Sequence, residues 1–278
     1  MQNSIGVLHK FCHVCRRNGF SLGSKMNIHL VSFGDTVNYG GALTRMLVTS
    51  SQWRYQNQRV FNSISILNQQ HLHQDKIFWD THSQFIENNP KGHGYWLWKS
   101  WAVKSVIANI PDNDVVLYLD AGCQINHHGV SRFYDYCNIA AKQGVCCFQL
   151  PGFTEHCWNK SDTACRILGS QHNQHMQTDQ IMATVIFFLN NLENKQLVDT
   201  WYNICQEQNY KYLTDEPSIV PNHTAFREHR HDQSILSLLL KTANIQPIPD
   251  ETWFHPNWHS NGISFPLWAT RNHTSKVI

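Results

Sequence analysis

From Asn27 onward, strand-length apolar runs alternate with segments of helical period, and this alternation constrains the fold more than any other feature of the chain. Residues 28–33, 63–67, 115–119, 145–150 and 183–189 are rich in β-branched and aromatic side chains and read as strands. Helices are expected over 42–53, 101–110, 131–142, 162–168, 193–208 and 232–242, with 71–88 helical or mixed. Gly34-Asp35, the loop from Asn89 to Gly94 and Pro111-Asp112-Asn113 punctuate the pattern. Strand–helix order of this kind predicts an α/β protein, a three-layer α/β/α sandwich with a mostly parallel central sheet. It spans 26–278 as a single domain, without internal repeats, and closes with a Pro-, Trp-, His- and Asn-rich tail from Ile245 that reads as an ordered cap of loops.

Residues 1–25 lack a clear period and a signal-peptide core, and read as an extension outside the fold, or as sequence upstream of a natural start at Met26. Cys12 and Cys15 form a C-x-x-C pair there, but a zinc site needs about four ligands and no second such pair follows. The 278 residues carry a formal net charge of +2, so a nucleic-acid partner is not expected. Nine cysteines, two of them adjacent in an apolar run, read as buried thiols of a reducing compartment. The longest apolar run is of strand length, well short of the ~18 residues of a membrane span. A cytoplasmic protein is expected, with peripheral contact to the inner face of a membrane left open. Ten Trp and eighteen His suit a polar ligand with flat apolar faces, a sugar or a nucleobase; compositional bias is the bland alternative.

Three stretches carry candidate chemistry. In DVVLYLDAGC the strand ends on Asp120, followed by the small Ala121 and Gly122. Ligands of open α/β sheets bind beyond the carboxyl ends of the strands. Asp120 is therefore a candidate to hold a cation or sugar hydroxyls, or else a turn cap. In EHRHDQSILSLLL, Asp232 is either the N-cap of a buried helix or a catalytic carboxylate flanked by His229, His231 and Gln233. In GHGYWLWKS, Trp96 and Trp98 are stacking faces or core anchors, and Lys99 is a candidate phosphate ligand near helix N–H groups or a solvated lysine. His156, Lys160 and Asp162 form a polar loop after a strand, and His255, His259 and His273 are candidate metal ligands in the tail; each is as readily structural. Nucleophile-elbow, zincin, P-loop and dinucleotide-fingerprint motifs do not occur, which argues against those four enzyme classes.

The order GYWLWKS, DVVLYLDAGC, HCWNKSD, VIFFLNN with Trp201, and EHRHDQSILSLL resembles GT-A-type glycosyltransferases over about residues 26–260. It is most similar to a poorly characterised group from bacterial surface-polysaccharide clusters and large DNA viruses. The resemblance implies transfer of a sugar from a nucleotide-sugar donor to a glycan or lipid-linked glycan acceptor, with Mn²⁺ or Mg²⁺ as cofactor. It implies Asp232 and Asp120 as catalytic residues. Ser32, Asp35, Arg45, Lys99, Asp120 and Gly122 would meet the donor. Trp98, His156, Lys160, Asp162, His229, His231 and Gln233 would meet the sugar or acceptor. The family's D-x-D metal motif is incomplete here, because Gly122 stands where the second acid belongs. Asp120 with His255 is one way to hold the ion; Lys99 and Arg45 neutralising the diphosphate is another. A degenerate carbohydrate-binding protein and a metal-dependent hydrolase are the alternatives.

Overall fold

The computed structural model describes residues 26–277, so the expected extension with Cys12 and Cys15 lies outside the described residues. In chain order the main elements are β1 (Ile28–Phe33), α1 (Thr36–Gln52), β2 (Ser63–Leu67), α2 (Lys76–Asn88), α3 (Leu97–Ile107), β3 (Val115–Leu119), α4 (Val130–Gln143), β4 (Val145–Cys146), β5 (Val185–Leu189), α5 (Leu192–Tyr210) and α6 (Asp232–Thr242). The five strands form one sheet in the order β2-β1-β3-β5-β4. β2, β1 and β3 pair in parallel, and β5 runs antiparallel to both β3 and β4, so four strands share one direction.

Alternation along the strands explains the layers. Val116 and Tyr118 of β3 join Phe188 of β5, Trp101 of α3, Trp201 of α5 and Ile235 of α6 on one face. Val115, Leu117 and Leu119 join Phe187, Met46 of α1 and Phe133 and Tyr136 of α4 on the other. Each such large side chain removed from water stabilises the fold by about 1.5–3 kcal/mol. The adjacent Cys146 and Cys147 divide between the two cores, and all seven cysteines among the described residues are free. Burial raises both of these thiols, Cys147 to about 12, as expected for inert small hydrophobes. No helix among the described residues is long and apolar enough to cross a membrane.

The helix expected over 101–110 runs from Leu97 to Ile107, and four further boundaries differ from expectation for a local reason. α1 begins at Thr36, ahead of Gly40-Gly41, because Asp35 caps it by accepting from Asn38 N at 2.7 Å. The 71–88 segment is two helices that break at Asp75, which caps α2 and also accepts the Trp101 indole N–H at 2.7 Å. The 145–150 strand splits: β4 ends at Cys146, and Gln149–Thr154 pairs outside the sheet with Asp179–Ile181, so Pro151-Gly152 sits in a strand and not in a loop. The last strand starts at Val185, two residues late, because Ala183 N is held by Gln233 Oε1. The tail is an ordered wall: Leu267 and Trp268 pair with Ile125 and Gln124, and Asn272 N donates to Gly122 O at 3.0 Å.

Candidate functional site

A cleft of about 1570 Å³ opens beyond the carboxyl ends of β1 and β3. Asp120 to Cys123 form its floor, Asp35 and Tyr39 one flank, and Trp79, His93 and Trp96 another. Thr184 lies beside the floor, its carbonyl accepting from Asp120 N at 3.0 Å; Phe153 comes from the strand outside the sheet, and Asp250, Trp253, Arg271 and His273 come from the tail.

The aromatic flank depends on an unusual turn. All five residues from Gly92 to Trp96 have positive φ, between 51° and 84°. At Gly92 a Cβ would lie 2.5 Å from the Trp96 ring, so glycine is required there for space as well as for conformation. His93, Tyr95 and Trp96 hold the same left-handed region without that freedom, a strain of order 1 kcal/mol each or more. Trp98 secures the turn: its indole N–H donates to Gly92 O at 2.9 Å and its ring stacks on Phe33 at 4.1 Å. Trp98 is thus a core anchor whose edge reaches the cleft, and Trp96 supplies more of the wall.

Asp120 is held from below. Its Oδ1 accepts the Tyr118 hydroxyl at 2.6 Å and lies 3.2 Å from Lys99 Nζ, leaving the side chain 33 % exposed to the cleft. Lys99 Nζ is also 3.2 Å from Asp232 Oδ2 and donates to Ala183 O at 3.3 Å. Burial opposes the charge on Lys99, but Asp120 and Asp232 together outweigh it and hold its pKa above the ordinary lysine value. Burial also pushes Asp232 up to about 6, against the pull of Lys99. One ammonium therefore lies between two carboxylates, one facing the cleft and one in the core.

This arrangement corrects several sequence expectations. Asp232 is the first residue of α6, with His231 at the cap position, and its side chain is 5 % exposed and does not line the cleft. Its carboxylate reaches the site through the Lys99 ammonium, 3.2 Å away. Lys99 is buried beneath the floor, so it does not meet a phosphate. Ser32 lies fully buried within β1. Arg45 is 3 % exposed; its NH1 and NH2 donate to the carbonyls of Thr274, Ala121, Cys123 and Asn272, making it a clamp on the tail and not a diphosphate ligand.

The expected acceptor set is dispersed in the same way. Lys160 Nζ donates to the carbonyls of Lys211, Thr214 and Glu216. Asp162 accepts from Ile219 N and Val220 N at 2.9 Å and pairs with Lys211. His229, His231 and His156 bond to the carbonyls of Tyr212, Leu213 and Met176. Gln233 joins Ala183 N to Gln180 Oε1. None of these six lines the cleft; they satisfy buried backbone around α6. Of the expected residues, Asp35, Trp96, Trp98, Asp120, Gly122 and His273 do line it, although Asp35 also serves as the α1 cap.

The donor set around Asp120 does not fit a resident divalent ion. One carboxylate oxygen already faces the Lys99 ammonium. The second acid of a pair is replaced by Gly122, where even a Cβ would come within 3.3 Å of Arg271 Cα. His255 is exposed beside Trp253 and does not line the cleft, and no group of three His, Cys, Asp or Glu among the described residues is placed to share an ion. The small residues after Asp120 therefore make room for the tail more than for a ligand. Sequence reasoning missed Tyr39, His93, Trp253, Asp250 and Arg271, which come together only in three dimensions.

No protein-family model matches the chain, and no curated protein is similar to it. Among solved structures it is similar to mouse xyloside xylosyltransferase 1, at 9 % identity over 91 % of this chain and 94 % of that one, with a TM-score of 0.43. It is similar to a glycosyltransferase involved in the glycosylation of the major capsid of PBCV-1, at 10 % identity over 87 % and 91 %, with a TM-score of 0.41. It is also similar to the galactosyltransferase LgtC, solved with donor and acceptor sugar analogues, at 13 % identity over 90 % and 84 %, with a TM-score of 0.45.

Proposed function

We propose that this protein transfers a sugar from a nucleotide-sugar donor to a glycan hydroxyl. The observation that carries the reading is Asp120, fixed by Tyr118 and Lys99 and presented at the floor of an aromatic-walled cleft at the strand ends. Pockets for a single small ligand are about 300–1,000 Å³ in volume. A cleft of about 1570 Å³ has room for a donor and an acceptor side by side. Flat faces of Trp96, Trp79 and Trp253 suit a nucleobase and the apolar face of a sugar.

The chemistry asks little else of the chain. The bond from the anomeric carbon to the diphosphate breaks, a bond to the acceptor oxygen forms, and the acceptor hydroxyl gives its proton to an oxygen of the departing diphosphate. Positive charge develops on the sugar as the diphosphate leaves, and the Asp120 carboxylate, ready-made and partly shielded from water, would stabilise it and accept hydrogen bonds from sugar hydroxyls. A role in surface-polysaccharide synthesis rests on the sequence resemblance alone. Gly122 in place of a second acid favours a second reading, a carbohydrate-binding protein without turnover.

The test is release of nucleoside diphosphate from a panel of nucleotide sugars, with and without Mn²⁺, by wild type and Asp120→Asn. Turnover of one donor class that falls by about 10²-fold or more in the variant supports the transferase, as for loss of one electrostatic catalytic group. Glycan binding with no turnover of any donor would instead establish the binding protein.

A further inference from the structure

We infer that Arg271, in the C-terminal tail, is the ligand of the donor's diphosphate; this rests on the donor reading above and deepens it. Among the described residues, Arg271 is the only Lys or Arg that lines the cleft, whereas Asp35, Glu87, Asp120 and Asp250 line it as acids. A doubly charged diphosphate therefore has one place to sit without repulsion, on the tail side of the floor beside Gly122.

The backbone of Arg271 is built for that position. Its φ of 53° is in the left-handed region, strained for a residue with a side chain, and such strain persists only where the surroundings over-determine it. They do so from both sides. Thr270 Oγ1 and Asn272 N donate to Gly122 O at 2.9 and 3.0 Å, and Arg45 NH2 donates to Asn272 O at 2.8 Å. Gly122 is the residue that allows this contact, since the space beyond its Cα is filled by the Arg271 backbone.

The side chain is free by comparison. The guanidinium lies over the Trp253 ring, 5.3 Å from its centroid, and no carboxylate among the described residues forms an ion pair with it. A planar fork of donors resting on an indole is pre-oriented for two phosphate oxygens. The tail thus brings a fixed positive charge to the place where a divalent ion would otherwise be needed, next to an Asp120 whose donor set does not fit one.

The experiment is titration of UDP, GDP, ADP and CDP and of the four nucleosides, read by tryptophan fluorescence and calorimetry. Wild type, Arg271→Ala and Arg271→Lys are compared in EDTA and in Mn²⁺, after matching their circular dichroism. Wild type is expected to bind at least one nucleoside diphosphate in EDTA. Arg271→Ala should weaken that binding by about 30-fold while leaving the nucleoside unchanged, the scale of losing charged hydrogen bonds. Arg271→Lys should fall between them, because it keeps the charge and loses the fork. Equal diphosphate affinity in wild type and Arg271→Ala, with affinity abolished by EDTA, would overturn the inference and leave the donor reading standing. Failure of every nucleoside and nucleoside diphosphate to bind wild type, with or without Mn²⁺, would overturn both.

Discussion

Replacing Lys99 with methionine removes the cation between Asp120 and Asp232 while keeping most of the apolar stem. Each carboxylate oxygen lies 3.2 Å from the ammonium, and the Asp232 side chain is 5 % exposed against 33 % for Asp120. Breaking a buried pair by removing one partner costs about 3–5 kcal/mol. Water screens the Asp120 side of the interaction, so the lower end, about 3 kcal/mol near pH 8, is the expected loss. The loss should depend on pH, and the sign follows from Asp232. In the wild type, burial raises its folded pKa from the ordinary carboxylate range to about 6. Stability linked to this proton is therefore present below pH ~4 and lost as pH rises through about 6. Without Lys99 the folded value rises further, so the wild-type advantage should grow from about 1 kcal/mol near pH 5 to about 3 near pH 8. Urea denaturation at half-unit pH steps measures it. Adding Asp232→Asn to Lys99→Met should recover most of the loss at pH 8, because no buried charge is then left alone. A deficit under about 1 kcal/mol at pH 8, or one equal at both pH values, would refute the account of Lys99 as the counter-ion of Asp232.

Two further substitutions probe the frame around the site. Arg45→Ala removes the donors to the carbonyls of Ala121, Cys123, Asn272 and Thr274. Limited proteolysis followed by mass spectrometry should then show faster cutting in the tail, with the sheet still protected; unchanged cutting would mean that the tail is held elsewhere. Glu155→Gln leaves Lys241, paired at 2.7 Å in the wild type, as an uncompensated charge on the buried face of α6. A loss of about 3 kcal/mol in urea denaturation is expected, reduced when Lys241→Met is added, and no loss would refute the pairing.

The strands at 28–33, 63–67 and 115–119 were legible to the residue because apolar, largely β-favouring side chains recur through each and polar or turn residues close them. Asp120 was legible for a related reason: a carboxylate closing such a run has only the strand end to occupy. The run around His229, His231 and Asp232 misled for the opposite reason. Polar side chains in front of a buried helix suggest chemistry, yet here the two histidines bond to the carbonyls of Tyr212 and Leu213, and an irregular buried segment creates that demand without any sequence period. Arg271 was invisible because a loop has no period, and its partners, Gly122 and Trp253, are distant in sequence or joined to it only by the fold.

Asp120 faces the cleft because two independent parts of the chain restrain it. The core restrains it through Lys99 and Tyr118, and Lys99 stays charged in that setting because Asp232 adds a second carboxylate beneath it. Asp232 thus makes a buried cation tolerable. The tail restrains the other side through Gly122 and is itself clamped by Arg45 of α1. Together they set the Asp120 carboxylate against the Arg271 guanidinium across a small glycine, the polarity on which the proposed transfer would draw.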